Sequence, residues 1–149
     1  MENASPALKA DDLAGFRAAQ RLAYDCAEAT AADMRPGMTE RQVAARMKTW
    51  LVEHGATDCF HEPFAWFGDR TAFRGLIGIK QLGGFNPAFY PGLRRLERNM
   101  PFILDCAPTL NGYTADIGYC GVIGENATLD QLMDDLLEYR MLILEQVRA

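Results

Sequence analysis

The sequence predicts an α+β domain in which an antiparallel sheet is covered on one face by helices. Three observations carry that prediction. Residues Asp11 to Met34, Thr39 to Leu51 and Thr128 onward place apolar side chains at helical spacing. The segment Tyr113 to Ile123 alternates Tyr113, Ala115, Ile117 and Tyr119 with Thr114, Asp116 and Gly118, the period of a half-buried strand. Pro101 to Ala107 is a short apolar run interrupted by one charge, Asp105, and Pro108, Thr109, Leu110, Asn111 and Gly112 separate it from the alternating segment with turn chemistry. At 149 residues, 49% of them hydrophobic, the chain suits one domain with one core.

In chain order, residues 1–10 carry little pattern and are expected to be a flexible end, with the domain occupying 11–149. The first helix is alanine-rich, carries Leu13, Phe16, Leu22 and Cys26, and stops at Arg35-Pro36-Gly37. Thr39 and Gln42 form a capping box for the second, whose stripe is Val43, Met47, Trp50 and Leu51 and whose end is Gly55. His54 falls in its last turn, where an imidazole suits the helix dipole, and is read as a capping residue. Asp58 to Tyr90 mixes aromatics, glycines and charges without a clear period and is expected to hold two or three strands. After the hairpin, Thr128 and Gln131 read as a capping box for a long amphipathic helix through Leu129, Leu132, Met133, Leu136, Leu137, Met141 and Leu144.

The formal net charge of -5 and the absence of a basic run argue against a nucleic-acid partner. No apolar run approaches the length of a membrane span, and the N-terminus lacks the basic start and apolar stretch of a signal peptide, so a cytoplasmic protein without a membrane partner is expected. Cys26, Cys59, Cys106 and Cys120 show no close spacing and read as reduced, buried packing residues rather than a zinc or redox set.

The hairpin carries the chemistry. If its loop is the four residues Thr109 to Gly112, Pro108 faces Tyr113 and Asp105 lies directly opposite Asp116, with Cβ atoms roughly 5 Å apart. Two bare carboxylates there repel unless one holds a proton, a basic side chain reaches in, or a cation lies between them. Hard oxygen ligands suit manganese, magnesium, iron or zinc. A register shifted by one residue would instead place one aspartate on the solvated face.

Ile103-Leu104-Asp105, Asn111-Gly112-Tyr113 and Asp116-Ile117 match an aspartate closing one strand, a Gly-Tyr turn, and a second aspartate eleven positions on. Upstream, Arg35-Pro36-Gly37-Met38-Thr39-Glu40 matches a Pro-Gly-Met-Thr-Glu link between two helices, and Leu96 to Asp105 matches the approach to the first aspartate, with Asn99-Met100 where Gly-Asp is usual. In these features, from about residue 16 to the end, the chain resembles the pita-bread metallopeptidases, the family of methionine aminopeptidase, aminopeptidase P, prolidase and creatinase, with the proline-peptidase branch the nearer.

The resemblance implies half of a pita-bread fold, the first half of a two-fold-like whole. It implies a site of two divalent ions (manganese, cobalt, zinc or iron), with Asp105 on one metal, Asp116 bridging both, and an activated water attacking the first peptide bond of a peptide substrate. The family's remaining ligands, a histidine and two glutamates, come later in its chains and are not in this sequence. Family members also place a substrate-orienting histidine seventeen or eighteen residues before the first aspartate, where this chain has Ala88 and Pro87. His61 is the remaining candidate for that catalytic role. It opens His61-Glu62-Pro63-Phe64-Ala65-Trp66-Phe67-Gly68-Asp69-Arg70, which reads either as a pocket wall or as a core strand with Asp69 and Arg70 solvated.

Glu125, Glu138 and Glu145 are the in-chain alternatives for the missing ligands, the last two on a helix expected on the far side of the sheet. Because the chain stops inside a helical pattern, a truncated protein is expected, with self-association or a missing C-terminal half covering the exposed apolar face. The functional expectation is a metal-dependent aminopeptidase or Xaa-Pro peptidase. A non-catalytic binding module of the same fold and a creatinase-like C–N hydrolase are the alternatives.

Overall fold

A computed structural model describes residues 9–72 and 89–148. Helix α1 spans Ala10–Asp33 and buries Ala19, Leu22, Ala23, Cys26, Ala27 and Thr30 along one stripe. The small residues of that stripe let the helix lie close to the sheet. Asp12 accepts a hydrogen bond from the Lys9 amide at 3.0 Å and so satisfies one free donor at the helix start.

Helix α2, Glu40–Glu53, begins with the predicted capping box: the Gln42 amide donates to Thr39 Oγ1 at 3.2 Å and the Thr39 amide donates to Gln42 Oε1 at 2.9 Å. Gly37 before it adopts a φ of 94°, which explains the glycine in the Pro-Gly-Met-Thr-Glu link. That link is tied to the 92–96 segment by Gly37 N–H to Leu96 O and Leu96 N–H to Met38 O, both 2.8 Å. At the other end His54 behaves as expected: its Nδ1 lies 2.8 Å from the Trp50 carbonyl, to which it donates, and its ring stacks on Trp50.

Among the described residues, six strands form two three-stranded antiparallel sheets. Strands β1 (Asp58–Cys59), β4 (Pro108–Leu110) and β5 (Tyr113–Thr114) make one, in the order β1-β4-β5. Strands β2 (Phe64–Phe67), β3 (Pro101–Cys106) and β6 (Ile117–Val122) make the other, in the order β2-β3-β6. A 3-10 turn, Gly68–Thr71, follows β2. Of the strands expected between Asp58 and Tyr90, β1 and β2 are present, and the stretch 73–88 lies outside the described residues, together with Pro87 and Ala88.

Alternation along β2 and β3 divides the second sheet into two faces. Ala65 and Phe67 on β2, Phe102, Leu104 and Cys106 on β3, and Ile117 on β6 pack with Leu22, Cys26, Val43, Met47 and Leu51 of the helices. Each fully buried Leu or Phe in that cluster contributes about 1.5–3 kcal/mol. The opposite face carries Phe64, Trp66, Ile103 and Asp105 and is not covered by α1 or α2. The predicted α+β architecture, with helices on one face, is therefore the one formed.

The hairpin register differs from the expected one. Asn111 and Gly112 have φ of 52° and 83°, the two positive values that a two-residue type I′ turn requires. Thr109 and Leu110 are therefore strand residues, Leu110 faces Tyr113, and Asp105 faces Gly118 instead of Asp116. The displacement is two residues, so side-chain parity is kept. Asp116 becomes the diagonal neighbour of Asp105 on the same face. The ladder pauses there: Ala115 and Asp116 lie between β5 and β6.

Helix α3, Ala127–Arg148, buries none of its residues, and Leu132, Leu137, Ile143 and Val147 are more than half exposed. Its cap is Asn126, whose Oδ1 accepts from the Leu129 amide at 3.1 Å, and not the predicted Thr128, while Gln131 bonds Asp135. No helix among the described residues is long and apolar enough to cross a membrane.

Candidate metal centre

Three side chains converge on the uncovered face. Asp105 comes from the middle of β3, Asp116 from the break between β5 and β6, and His61 from the turn that leads into β2. His61 Nε2 lies 3.2 Å from Asp105 Oδ1 and 3.4 Å from Asp116 Oδ1, and one ligand atom from each residue falls within 4.8 Å of the others. The predicted site residues are thus brought together despite the altered register. A diagonal pair on one face still meets when a third side chain bridges it.

The three groups differ in exposure. The side chains of His61 and Asp105 are 25% and 31% exposed, and that of Asp116 is 62% exposed. Burial pushes the Asp105 carboxyl above its ordinary value; the nearby His61 opposes that rise, and the Asp116 charge adds to it. Asp105 Oδ1 is sealed from solvent and has no donor in hydrogen-bonding geometry among the described residues, since the His61 nitrogen is near but not aligned with it. A buried carboxylate oxygen in that condition costs about 1–3 kcal/mol or more.

His61 is held from its other side. Nδ1 lies 2.9 Å from the Glu62 carbonyl, which can only accept, so Nδ1 carries a proton. The Phe64 ring sits 5.2 Å from the imidazole. Phe64 and Trp66 continue the face as an aromatic wall, joined by Phe89 and Tyr90: the Trp66 Nε1–H donates to the Phe89 carbonyl at 2.8 Å, and Phe64 lies 6.1 Å from both Phe89 and Tyr90. Alternate residues of β2 divide between the core and the face that carries Asp105. Phe67 is core, whereas Phe64 and Trp66 border the site.

Arg70 corrects the expectation that it is simply solvated. Its Nε lies 2.9 Å from Oε1 of Glu40, a fully buried carboxylate that also accepts from the Phe67 amide at 3.0 Å and the Gly92 amide at 2.8 Å. Asp69 is exposed and pairs with Arg94 at 2.6 Å. Sequence reading missed this cradle because Glu40 and Arg70 belong to separate motifs, and no local period joins them.

The cysteines stay outside the centre. Cys106 faces the core, where a hydrogen bond to Cys26 and burial hold its thiol protonated; Cys120 is exposed on β6, and all four are free. Glu125, Glu138 and Glu145 are exposed and do not join the three-residue group. Two hard carboxylates and one imidazole form a donor set that fits a divalent transition ion, and the orphaned Asp105 oxygen is the atom such an ion would satisfy.

An uncharacterized peptidase of Staphylococcus aureus (strain bovine RF122 / ET3-1) is 23% identical over 139 residues, 93% of this chain and 36% of the relative. Among solved structures, the chain is similar to an Xaa-Pro dipeptidase from Bacillus anthracis (TM-score 0.72, 20% identity, 89% of this chain and 34% of that one). It is also similar to an X-Pro aminopeptidase from Thermotoga maritima MSB8 (TM-score 0.66, 22% identity, 93% of this chain and 34% of that one). These likenesses show the pita-bread fold, and the chain spans about a third of the relatives' length. The family profile for metallopeptidase family M24 matches residues 14–149, and the chain belongs to that family.

Proposed function

We propose that the chain supplies one wall of a metal-dependent peptidase that removes an N-terminal residue or cleaves an Xaa-Pro bond. The observation that carries this reading is the convergence of Asp105 and Asp116 on one face with a sealed, unsatisfied carboxylate oxygen between them and His61. Asp105 and Asp116 are the residues that would hold divalent metal. When bound, such an ion supplies Lewis-acid activation of water and of the scissile carbonyl.

The chain's own part is positioning. Phe64, Phe89 and Tyr90, backed by the buried Trp66, offer an apolar surface beside the carboxylates for a prolyl ring or an apolar first side chain, and they limit water at that edge. The solved neighbours named for Xaa-Pro peptidase activity support the proline-peptidase branch for the longer fold. The exposed stripe of α3 supports a C-terminal half as its natural cover, with self-association when that half is missing. Without a second wall to close over substrate, turnover by this chain alone should be negligible. A cytoplasmic location remains part of the same proposal.

The test is equilibrium binding of an Xaa-Pro dipeptide and a methionine-initiated peptide, with Mn²⁺ or with chelator, alongside hydrolysis assays. Metal-dependent peptide binding with little turnover is expected. Equal binding in Mn²⁺ and chelator would favour the non-catalytic module, and chelator-insensitive cleavage of a small C–N substrate would favour the creatinase-like alternative.

A further inference from the structure

We propose that His61 is itself a metal ligand through Nε2, so that this chain alone holds one divalent transition ion in a His61–Asp105–Asp116 site. This goes beyond a role for His61 toward substrate, and it rests on the reading of Asp105 and Asp116 as metal-holding carboxylates.

The argument starts from the far side of the ring. The Glu62 carbonyl is only an acceptor, so the 2.9 Å contact fixes the proton on Nδ1. The other ring nitrogen, Nε2, is the atom left for a ligand, and it is aimed between Asp105 Oδ1 at 3.2 Å and Asp116 Oδ1 at 3.4 Å, the latter in hydrogen-bonding geometry. One ring nitrogen and two carboxylate oxygens therefore face one another, one ligand atom from each residue within 4.8 Å of the others. A positive centre among them relieves that arrangement, and Asp105 Oδ1, already out of solvent, is left with no aligned donor among the described residues even where Nε2 bonds Asp116 Oδ1.

A carbonyl-bonded Nδ1–H is also the arrangement that orients a ligating histidine and raises the basicity of its other nitrogen. The Phe64 ring, 5.2 Å away, restricts the tilt of the imidazole. Hard oxygen and imidazole nitrogen together select Mn²⁺, Co²⁺, Fe²⁺ or Zn²⁺ over Ca²⁺ or Mg²⁺. His61 precedes β2 and so belongs to the same half of the fold as both aspartates. The site is complete in this chain to the extent of three ligands.

The probe is Co²⁺ titrated into the metal-free 149-residue chain, followed by proton NMR and calorimetry. One ion per chain is expected, with a paramagnetically shifted, solvent-exchangeable imidazole N–H that persists in His54→Ala, the only other histidine, and vanishes in His61→Ala. His61→Ala should weaken Co²⁺ affinity by at least ~10-fold, with His61→Gln as a second variant and far-UV circular dichroism reporting that each is folded. Binding lost in Asp105→Asn but unchanged in both His61 variants, with no shifted N–H, would overturn the role of His61 while leaving the two-aspartate reading intact. Binding indifferent to Asp105→Asn would overturn both.

Discussion

Glu40 and Asp105 are both shielded carboxylates within reach of β2, and the chain completes one and leaves the other open. Glu40, fully buried at the start of α2, accepts from the Phe67 and Gly92 amides and pairs with Arg70. Every part of that cradle is supplied by this chain, and the result ties α2 to β2 and to the 92–96 segment. Asp105 faces the His61 Nε2 and a second carboxylate, with one oxygen that nothing aligned satisfies among the described residues. A buried charge finished by its own chain is architecture, whereas a buried charge left to an outside partner marks chemistry.

The largest break in that contrast comes from Glu40. Replacing it with alanine strips the Phe67 and Gly92 amides of their acceptor and Arg70 of its ion-pair partner, and should cost about 3–5 kcal/mol. For a chain of this size that corresponds to a fall of roughly 10 °C in Tm, read by thermal unfolding. A change within about 2 °C would mean the cradle is not what holds α2 in place.

Asp105→Asn should act in the opposite sense when metal is absent. The folded chain keeps the Asp105 proton to higher pH than the unfolded chain, because burial raises the carboxyl above its ordinary 3.8. Across the window just above 3.8 the folded state therefore binds more protons, and stability falls as the pH rises through it. In chelator at neutral pH the asparagine variant should be the more stable protein, and its advantage should shrink as the pH drops toward that ordinary value. Parallel pH profiles for parent and variant would contradict this.

Association comes next. The chain as it stands should self-associate as concentration rises, through the exposed apolar side chains of α3. Light scattering checks this, and a clean monomer at high concentration would count against it. The smallest effect is at the α2 cap, where Thr39→Ala should cost about 1 kcal/mol and leave metal affinity unchanged, because the cap touches Gln42 and not the site.

Much of this arrangement is legible in the residues. The helical stripes, the Thr39–Gln42 box and the His54 cap all follow from local spacing, and each is present. The two aspartates are legible as a pair on one face because parity survives a two-residue slip. The two residues of slip are Thr109 and Leu110, which the four-residue loop takes from the strand although Asn111 and Gly112 suffice, both at positive φ. Thr128 was the more obvious cap by spacing, but Asn126 reaches the free amide first.

What the sequence conceals are contacts between segments far apart in the chain. Arg70 reaches Glu40, and His61 enters from before β2 to meet residues of β3 and the β5–β6 break. Neither contact has a local period to announce it.

The central claim is that Asp105 and Asp116 form a cation site in this chain, and thermal unfolding with and without Mn²⁺ tests it most directly. At a concentration a hundredfold above Kd, binding should stabilise the parent by about 2.7 kcal/mol, a rise of roughly 5–10 °C. Asp105→Asn and Asp116→Asn should each abolish that rise. No response to Mn²⁺, or a response that survives both substitutions, would contradict the account.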